Sequence, residues 1–386
     1  MATRRRWAFI SGMAGVPWGG SELLWSQTAA RLAEGGNPVL ACVQGWPERP
    51  VAVEQLARAG VAVVERRIDS RSILRRGIQA FWRRREQGPS LPGLDWVAAR
   101  RIAAFKPDAV VISHGGIGCG LEWMEWCRWK GLPYVSVAQA NAEIWWPEDG
   151  LADRMQTAHE GAKLSCFVAH GNLRLFETQI GGRLRNARVV WNPCGTGVND
   201  SLPWPATDAG WRLACVARLD PRAKGQDLLL GALARVPWRE HGVTVSLFGD
   251  GPMRRSLERV AKELGLEEVV RFEGHVPDVT AIWRRHHLLV MPSRYEGLPI
   301  ALVEAFRCGR PAVVTAVGGC AECVDEGETG FVSGAVSVEG IHQALERAWE
   351  QRENWQVMGR EAAVRMAARY PTDPVGEFAE LLGAAF

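Results

Sequence analysis

The stretch VMPSRYEGLPIALVEAFRCGRPAVVTAVGGCAECVDEGETG, residues 290–330, decides the fold. An apolar run, 287–291, stops at Pro292-Ser293, which predicts a buried strand closed by a turn. A short loop then carries Glu296-Gly297-Leu298. Pro299 falls where a helix should begin, a position that suits proline because its missing N–H would be unpaired there anyway. The helix is predicted to run to Cys308, Gly309 ends it, and 311–314 reads as the next strand. Two carboxylates stand eight residues apart in this strand–loop–helix–strand unit, Glu296 in the loop and Glu304 on the helix. The free N–H groups from Gly297 to Ile300 point into the same space, with the positive end of the helix dipole behind them. Amides for phosphate oxygens and carboxylates for hydroxyls make a pocket for an anion that carries a sugar or ribose.

Working back from this unit, the run 212–217 predicts the strand that opens the second half. Ala217-Arg218-Leu219-Asp220-Pro221-Arg222-Ala223-Lys224-Gly225 follows it and leads into a helix over 226–235. Arg218 offers a fork of donors and Lys224 a point charge, both suited to gripping a diphosphate. Leu247-Phe248-Gly249-Asp250-Gly251-Pro252 is another strand-to-helix turn, and Arg271-Phe272-Glu273-Gly274-His275-Val276 another strand end.

Embedded in P-S-x-x-E-G and followed by E-A-x-x-x-G-x-P, the pair Glu296/Glu304 resembles the E-x7-E signature of the retaining glycosyltransferases of family 4. The resemblance implies an α/β protein of the GT-B fold, two Rossmann-like parallel-sheet domains facing each other across a cleft. Residues 217–225 resemble the family's G-R-L-x-x-x-K-G motif, with Ala217 replacing the usual Gly, and 249–252 its G-x-G-P turn. His275 and Val276 match the segment whose backbone meets the nucleotide base. Gly318-Gly319 matches the glycine turn after the next strand. His287 departs from the pattern, standing where an Asp commonly precedes V-x-P-S, and is expected to be structural. Asn192-Pro193-Cys194-Gly195 resembles the segment that leaves the first domain.

The first half alternates strand and helix. Strands are expected at 7–11, 39–43, 61–64, 109–113, 134–137, 166–169 and 188–191, which implies a parallel sheet covered on both faces. Ligands of such sheets bind beyond the strands' carboxyl ends. The glycine-rich loop 12–20 lies at such an end, with Ser21 a plausible N-cap for a helix to Glu34. Its Gly19-Gly20-Ser21-Glu22 resembles the family's G-G-x-E element. His114 ends another strand, and in the resembling enzymes a His there faces the reacting sugar; His170 reads better as a capping or interface residue. Gln139 and Asn141 could bond acceptor hydroxyls, and Trp145-Trp146 could stack on a sugar. Trp123, Trp126 and Trp129 recur every third residue, a helical stripe expected to pack on the sheet.

Eight arginines fall between Arg66 and Arg85, with Ile73, Leu74, Ile78, Phe81 and Trp82 on one helical face. Such a helix is either a peripheral contact for an anionic membrane or a solvated face. The length of 386 residues suggests two domains: 1–200 for the acceptor, a linker 201–210, 211–369 for the nucleotide sugar, and a C-terminal helix 370–386 crossing back to the first. The net charge of +3 does not argue for nucleic acid. Nine scattered cysteines read as buried thiols of a reducing compartment, and Cys320-x-x-Cys323, lacking a second pair, does not make a zinc site. No run is long and apolar enough to span a membrane and the N-terminus continues straight into a strand, so the expected place is the cytoplasm, peripheral on the membrane if 66–85 binds it.

The resemblance implies transfer of a sugar from a nucleotide-diphosphate sugar to a carbohydrate or lipid-linked acceptor, retaining configuration, in cell-surface glycan or polysaccharide synthesis. Its site would comprise Arg218, Lys224, Glu296 and His114, with Gly19, Gly20, Gly249, His275, Val276, Gly297, Leu298, Pro299 and Glu304 around the donor. No D-x-D is present, so no metal or other cofactor is expected. Alternatives are a nucleotide-sugar epimerase of the same architecture or a non-catalytic sugar-binding relative.

Overall fold

A computed structural model describes residues 4–13, 15–66, 79–80, 83–195, 201–208, 210–236, 238 and 240–386. The chain forms two compact units, Met1–Pro193 with Asp373–Phe386, and Cys194–Thr372.

The first unit is built on seven parallel strands: β1 (Trp7–Ser11), β2 (Val39–Gln44), β3 (Ala62–Arg66), β4 (Ala109–His114), β5 (Tyr134–Ala138), β6 (Leu164–Phe167) and β7 (Ala187–Val189). Their spatial order is β3-β2-β1-β4-β5-β6-β7. Every residue of β1, β2, β4, β5 and β6 is buried, because helices cover both faces and each strand is mostly apolar. The edge strands β3 and β7 are partly exposed and carry charges, which discourages pairing with another chain. Trp123 and Trp126 are buried in the core as the stripe predicts, while Trp129, at its end, is 37% exposed. The last helix, Pro374–Ala385, packs on Leu23–Glu34, and its cap Asp373 accepts from Arg31 and from the amide of Gly376.

The second unit repeats the plan with β8 (Trp211–Val216), β9 (Val243–Phe248), β10 (Val270–Gly274), β11 (Leu288–Met291), β12 (Ala312–Thr315) and β13 (Gly330–Ser333), all parallel. The order β10-β9-β8-β11-β12-β13 reproduces that of the first six strands of the other sheet. In each sheet the chain winds first to one side and then to the other, so a switch point falls between β1 and β4 and again between β8 and β11. Ligands of doubly wound sheets bind beyond the strand ends at such points.

His287 is structural: its Nδ1 accepts from the Arg212 amide at 2.9 Å, and the buried ring packs between Trp204 and Trp211. All nine cysteines are free thiols, seven of them buried, and Cys320 and Cys323 share one short buried helix. Among the described residues no cluster of three metal-ligating side chains occurs, and no helix is long and apolar enough to cross a membrane. The apolar face expected at 73–82 lies outside the described residues.

Candidate active site

In the second unit three loops at the strand ends lock together. Gly225, after β8, has φ +64, and a Cβ there would stand 1.9 Å from the Pro292 carbonyl oxygen after β11. Only glycine admits both that conformation and that approach. The contact is reinforced by Arg294, whose amide donates to the Ala223 carbonyl at 2.8 Å and whose guanidinium grips Asp227 through two bonds of 2.6 and 2.8 Å. Gly318, after β12, is fixed the same way: φ +52, with a Cβ position 2.3 Å from the Glu296 carbonyl oxygen. The amide of Gly319 completes the lock by donating to the Gly297 carbonyl at 2.8 Å.

This packing brings Lys224 to Glu296. Lys224 Nζ donates to Glu296 Oε1 at 2.5 Å, and Ser293 Oγ donates to the same oxygen at 2.7 Å. Glu296 is buried, so the pair is shielded from screening by water. The helix that follows spans Ile300–Arg307, with Pro299 as its cap, one residue earlier than the first-turn position. Among the described residues the amides of Gly297 and Leu298 have no protein acceptor, so two donors stand free at a helix N-terminus.

Glu304 lies on the buried face of that helix. Burial pushes its carboxyl up to about 7, opposed by the Gly195 amide, which donates to Oε1 at 3.3 Å. Arg218 donates to Asp220 Oδ2 at 3.1 Å, and Asp220 is shared with Arg222 at 3.0 Å. Gly249 ends β9 with φ +120. His275 and Val276 follow β10, exposed and half-buried, two strands from β8, which is about 10 Å. Lys224, Glu296, Gly297, Leu298 and Pro299 thus form one group with Glu304 on the helix behind it, while His275 and Val276 lie to one side.

The first unit places neutral groups at its own switch point. Buried His114 ends β4, and its Nδ1 meets the Gly116 carbonyl oxygen at 2.9 Å. A carbonyl only accepts, so Nδ1 carries the proton and Nε2 is a bare acceptor, buried with no protein partner. Burial lowers the imidazole to about 4, against the opposing pull of that carbonyl. His159 stands edge-on to it at 5.8 Å. Gly19 and Gly20 enter a short turn, Gly20–Glu22, and the helix begins only at Leu23. Ser21 therefore does not cap it. Glu22 instead turns inward, where its Oε2 accepts from Ser11 Oγ at 2.7 Å.

Gln139 and Asn141 do not face an acceptor. Gln139 is buried, bridging Ser113 Oγ at 3.3 Å and Asn192 Nδ2 at 2.8 Å, and Asn141 bonds Gln179 at 2.8 Å. Trp145 packs against Gly116, and only Trp146 of that pair is open, at 60%. His170 is the exposed first residue of the helix His170–Gln179. Sequence reasoning missed the inward turn of Glu22; a Ser closing β1 before a glycine loop that ends in Glu was its only trace.

Residues 210–351 match the family model described as Glycosyl transferases group 1. Over 142 residues the chain is 35% identical to the GDP-mannose-dependent alpha-(1-6)-phosphatidylinositol monomannoside mannosyltransferase of Mycolicibacterium smegmatis, covering 34% of this chain and 37% of that protein. The enzyme of the same description from Mycobacterium tuberculosis is 28% identical over 268 residues, 64% of this chain and 68% of that one. Anabaena Alr3699/HepE, solved in complex with UDP and glucose, superposes with a TM-score of 0.76 at 19% identity, over 99% of this chain and all of that one. The sucrose-phosphate synthase of Thermosynechococcus elongatus superposes at 0.70 and 19% identity, over 99% of this chain and 100% of that one. The chain has the two-domain fold of the GT-B glycosyltransferases, and residues 210–351 of its second unit match the glycosyltransferase group 1 model.

Proposed function

We propose that the protein is a retaining glycosyltransferase of family 4 that moves a sugar from a nucleotide-diphosphate sugar to a carbohydrate or lipid-linked acceptor. The observation that carries this reading is the joining of Lys224 to Glu296 beside the free amides of Gly297 and Leu298, with buried Glu304 on the same helix. Lys224 and Arg218 stabilise charge that grows on the leaving diphosphate, and the helix-terminal amides add to it. Glu296 and those amides orient the donor sugar, Glu304 takes the ribose hydroxyls, and Gly249, His275 and Val276 border the base. Neutral His114 offers Nε2 to a sugar hydroxyl, and Gly19 and Gly20 let the backbone approach it. The diphosphate is held by side chains and amides, without metal. The relatives point to mannosyl or glucosyl donors and to glycan or lipid-linked acceptors, as in surface polysaccharide synthesis. A cytoplasmic enzyme with such an acceptor would meet it at an anionic membrane through the arginines from Arg66 to Arg85.

The test is thermal stabilisation by UDP-, GDP- and ADP-sugars, with and without EDTA, followed by the anomeric configuration of the product. Stabilisation by none of them defeats the reading. Loss of stabilisation in EDTA, restored by magnesium or manganese, defeats the metal-free version, and an inverted product defeats retention.

A further inference from the structure

A notch beside the glycine loop after β1 is left without a role by this reading. Trp18, Glu22, Gln44 and Trp46 line it together with Ser11, and all belong to the first unit. It has space for little more than one water-sized group. Two buried acceptors sit there. Glu22 spends one oxygen on Ser11, and burial, against the bond from Ser11, pushes its carboxyl up to about 7. Gln44 ends β2, its Nε2 donates to the Gly45 carbonyl at 3.2 Å, and its Oε1 is buried with no partner among the described residues. A ligand that supplies the missing donor removes the cost of leaving that buried acceptor unpaired.

The chemistry of that ligand follows from what the notch lacks. Gln44 Oε1 can only accept, and Glu22 accepts when ionised, so the ligand must bring a donor. Arg66, the nearby cation, does not line the notch; it bonds the Ser11 carbonyl and lies over the Trp123 ring at 5.8 Å. The charge of Arg66 acts on the Glu22 carboxyl from outside the notch, but the lining itself offers a phosphate no cation to bond. The room suits a hydroxyl rather than a whole ring, and the half-buried faces of Trp18 and Trp46 flank it, as aromatic rings flank the C–H faces of sugars.

We propose that this notch is an acceptor subsite that seats one hydroxyl of a neutral sugar or polyol, bonded by Gln44 Oε1 and Glu22, with Trp18 and Trp46 against the ring. It rests on the glycosyltransferase reading and adds the acceptor's class and the residues that select it.

The experiment is saturation-transfer NMR on the full chain with myo-inositol, methyl α-mannopyranoside and methyl α-glucopyranoside, then with single-deoxy analogues of whichever binds. The expected result is transfer to at least one probe, lost on removal of one particular hydroxyl. Gln44→Leu and Trp18→Ala should each weaken it about ten-fold or more, with donor stabilisation unchanged. Transfer to none of the probes, equal binding of every deoxy analogue, or undiminished binding by folded variants overturns the subsite. The deoxy series decides the matter in the unaltered protein if a variant fails to fold. A protein stabilised by nucleotide sugar but blind to all three probes loses only the subsite, whereas one stabilised by no nucleotide sugar loses the function itself.

Discussion

At the C-terminal ends of its central strands the second unit gathers charges, whereas the first gathers neutral buried groups. Six strands share one order in the two sheets, so the difference is made by the residues that end the strands and follow them. In the second, Arg218, Lys224 and Glu296 follow strand ends clamped by glycines that touch neighbouring backbone, with Glu304 on the helix behind them. In the first, His114 is held uncharged, and Ser113, Gln139 and Asn192 pass hydrogen bonds between interior side chains. Charges suit a diphosphate, whose own charge rises as the bond to the sugar breaks; neutral acceptors and donors suit hydroxyls. A chain that binds one charged and one uncharged substrate can use the same scaffold twice.

The sharpest way to break that division is to remove a charge from the second unit. Lys224→Ala and Arg218→Ala should each lower kcat by about 10²–10³, because a donor aimed at developing negative charge acts mainly in the transition state. Initial rates across donor concentrations separate the two parameters. A rise in KM with kcat unchanged would show that these side chains hold only the ground state.

Next in size is the clamp. Gly225→Ala forces a Cβ at positive φ into the Pro292 carbonyl and should cost about 2 kcal/mol or more, read as a lower midpoint in urea. Gly19→Ala in the first unit's loop should cost less than about 0.5 kcal/mol, since Gly19 is extended at φ −161 and its Cβ position is no closer than 3.9 Å to a neighbour. Equal losses at the two sites would mean that both loops are equally constrained.

The same contrast explains what could be read from the chain. Parallel strands buried on both faces are unbroken apolar runs, so β11 and β12 fall within one residue of their expected places. Glycines compelled by backbone contact keep fixed places next to the functional side chains, which is why Lys224 and Glu296 could be picked out at a distance of 72 residues. Gln139 and Asn141 carried no such marker. An amide that bridges interior groups looks, in sequence, like one that waits for a substrate. Glu22 was hidden likewise, because a carboxylate after a glycine loop normally faces water. The arginine-rich stretch remains open to a direct trial: sedimentation with anionic but not neutral vesicles, weakened by salt, is what membrane contact requires.

Glu304 gives a middle-sized effect with a definite sign. Its carboxyl ionises at about 7 when folded, against an ordinary value of 4.5. Between those values the folded chain holds more protons than the unfolded one, so this group makes stability fall as pH rises. Ribose hydroxyls donate to the ionised form, so nucleotide affinity should climb from about pH 6 to about pH 8. Glu304→Gln should flatten that climb and weaken binding at pH 8 by roughly ten- to a hundred-fold. Calorimetric titration of the free nucleotide at three pH values measures both, and unchanged affinity in the variant would place the ribose elsewhere.

His114 should show the smallest effect on turnover and the opposite sign on stability. Burial lowers its pKa to about 4 from an ordinary 6.5, and the edge-on His159 is lowered as well, first by burial and then by His114. Between about 4 and 6.5 the unfolded chain binds more protons, so the contribution of His114 to stability grows as pH rises through that window, against the fall from Glu304. An imidazole already neutral has no proton to lose between pH 5.5 and 8. His114→Gln keeps an acceptor near the position of Nε2, so the pH profile of its turnover should run parallel to that of the unaltered enzyme. The urea midpoint of the variant should gain less between pH 4.5 and 6.5. A ring titration in the NMR spectrum near 6.5, assigned to His114, would contradict both expectations.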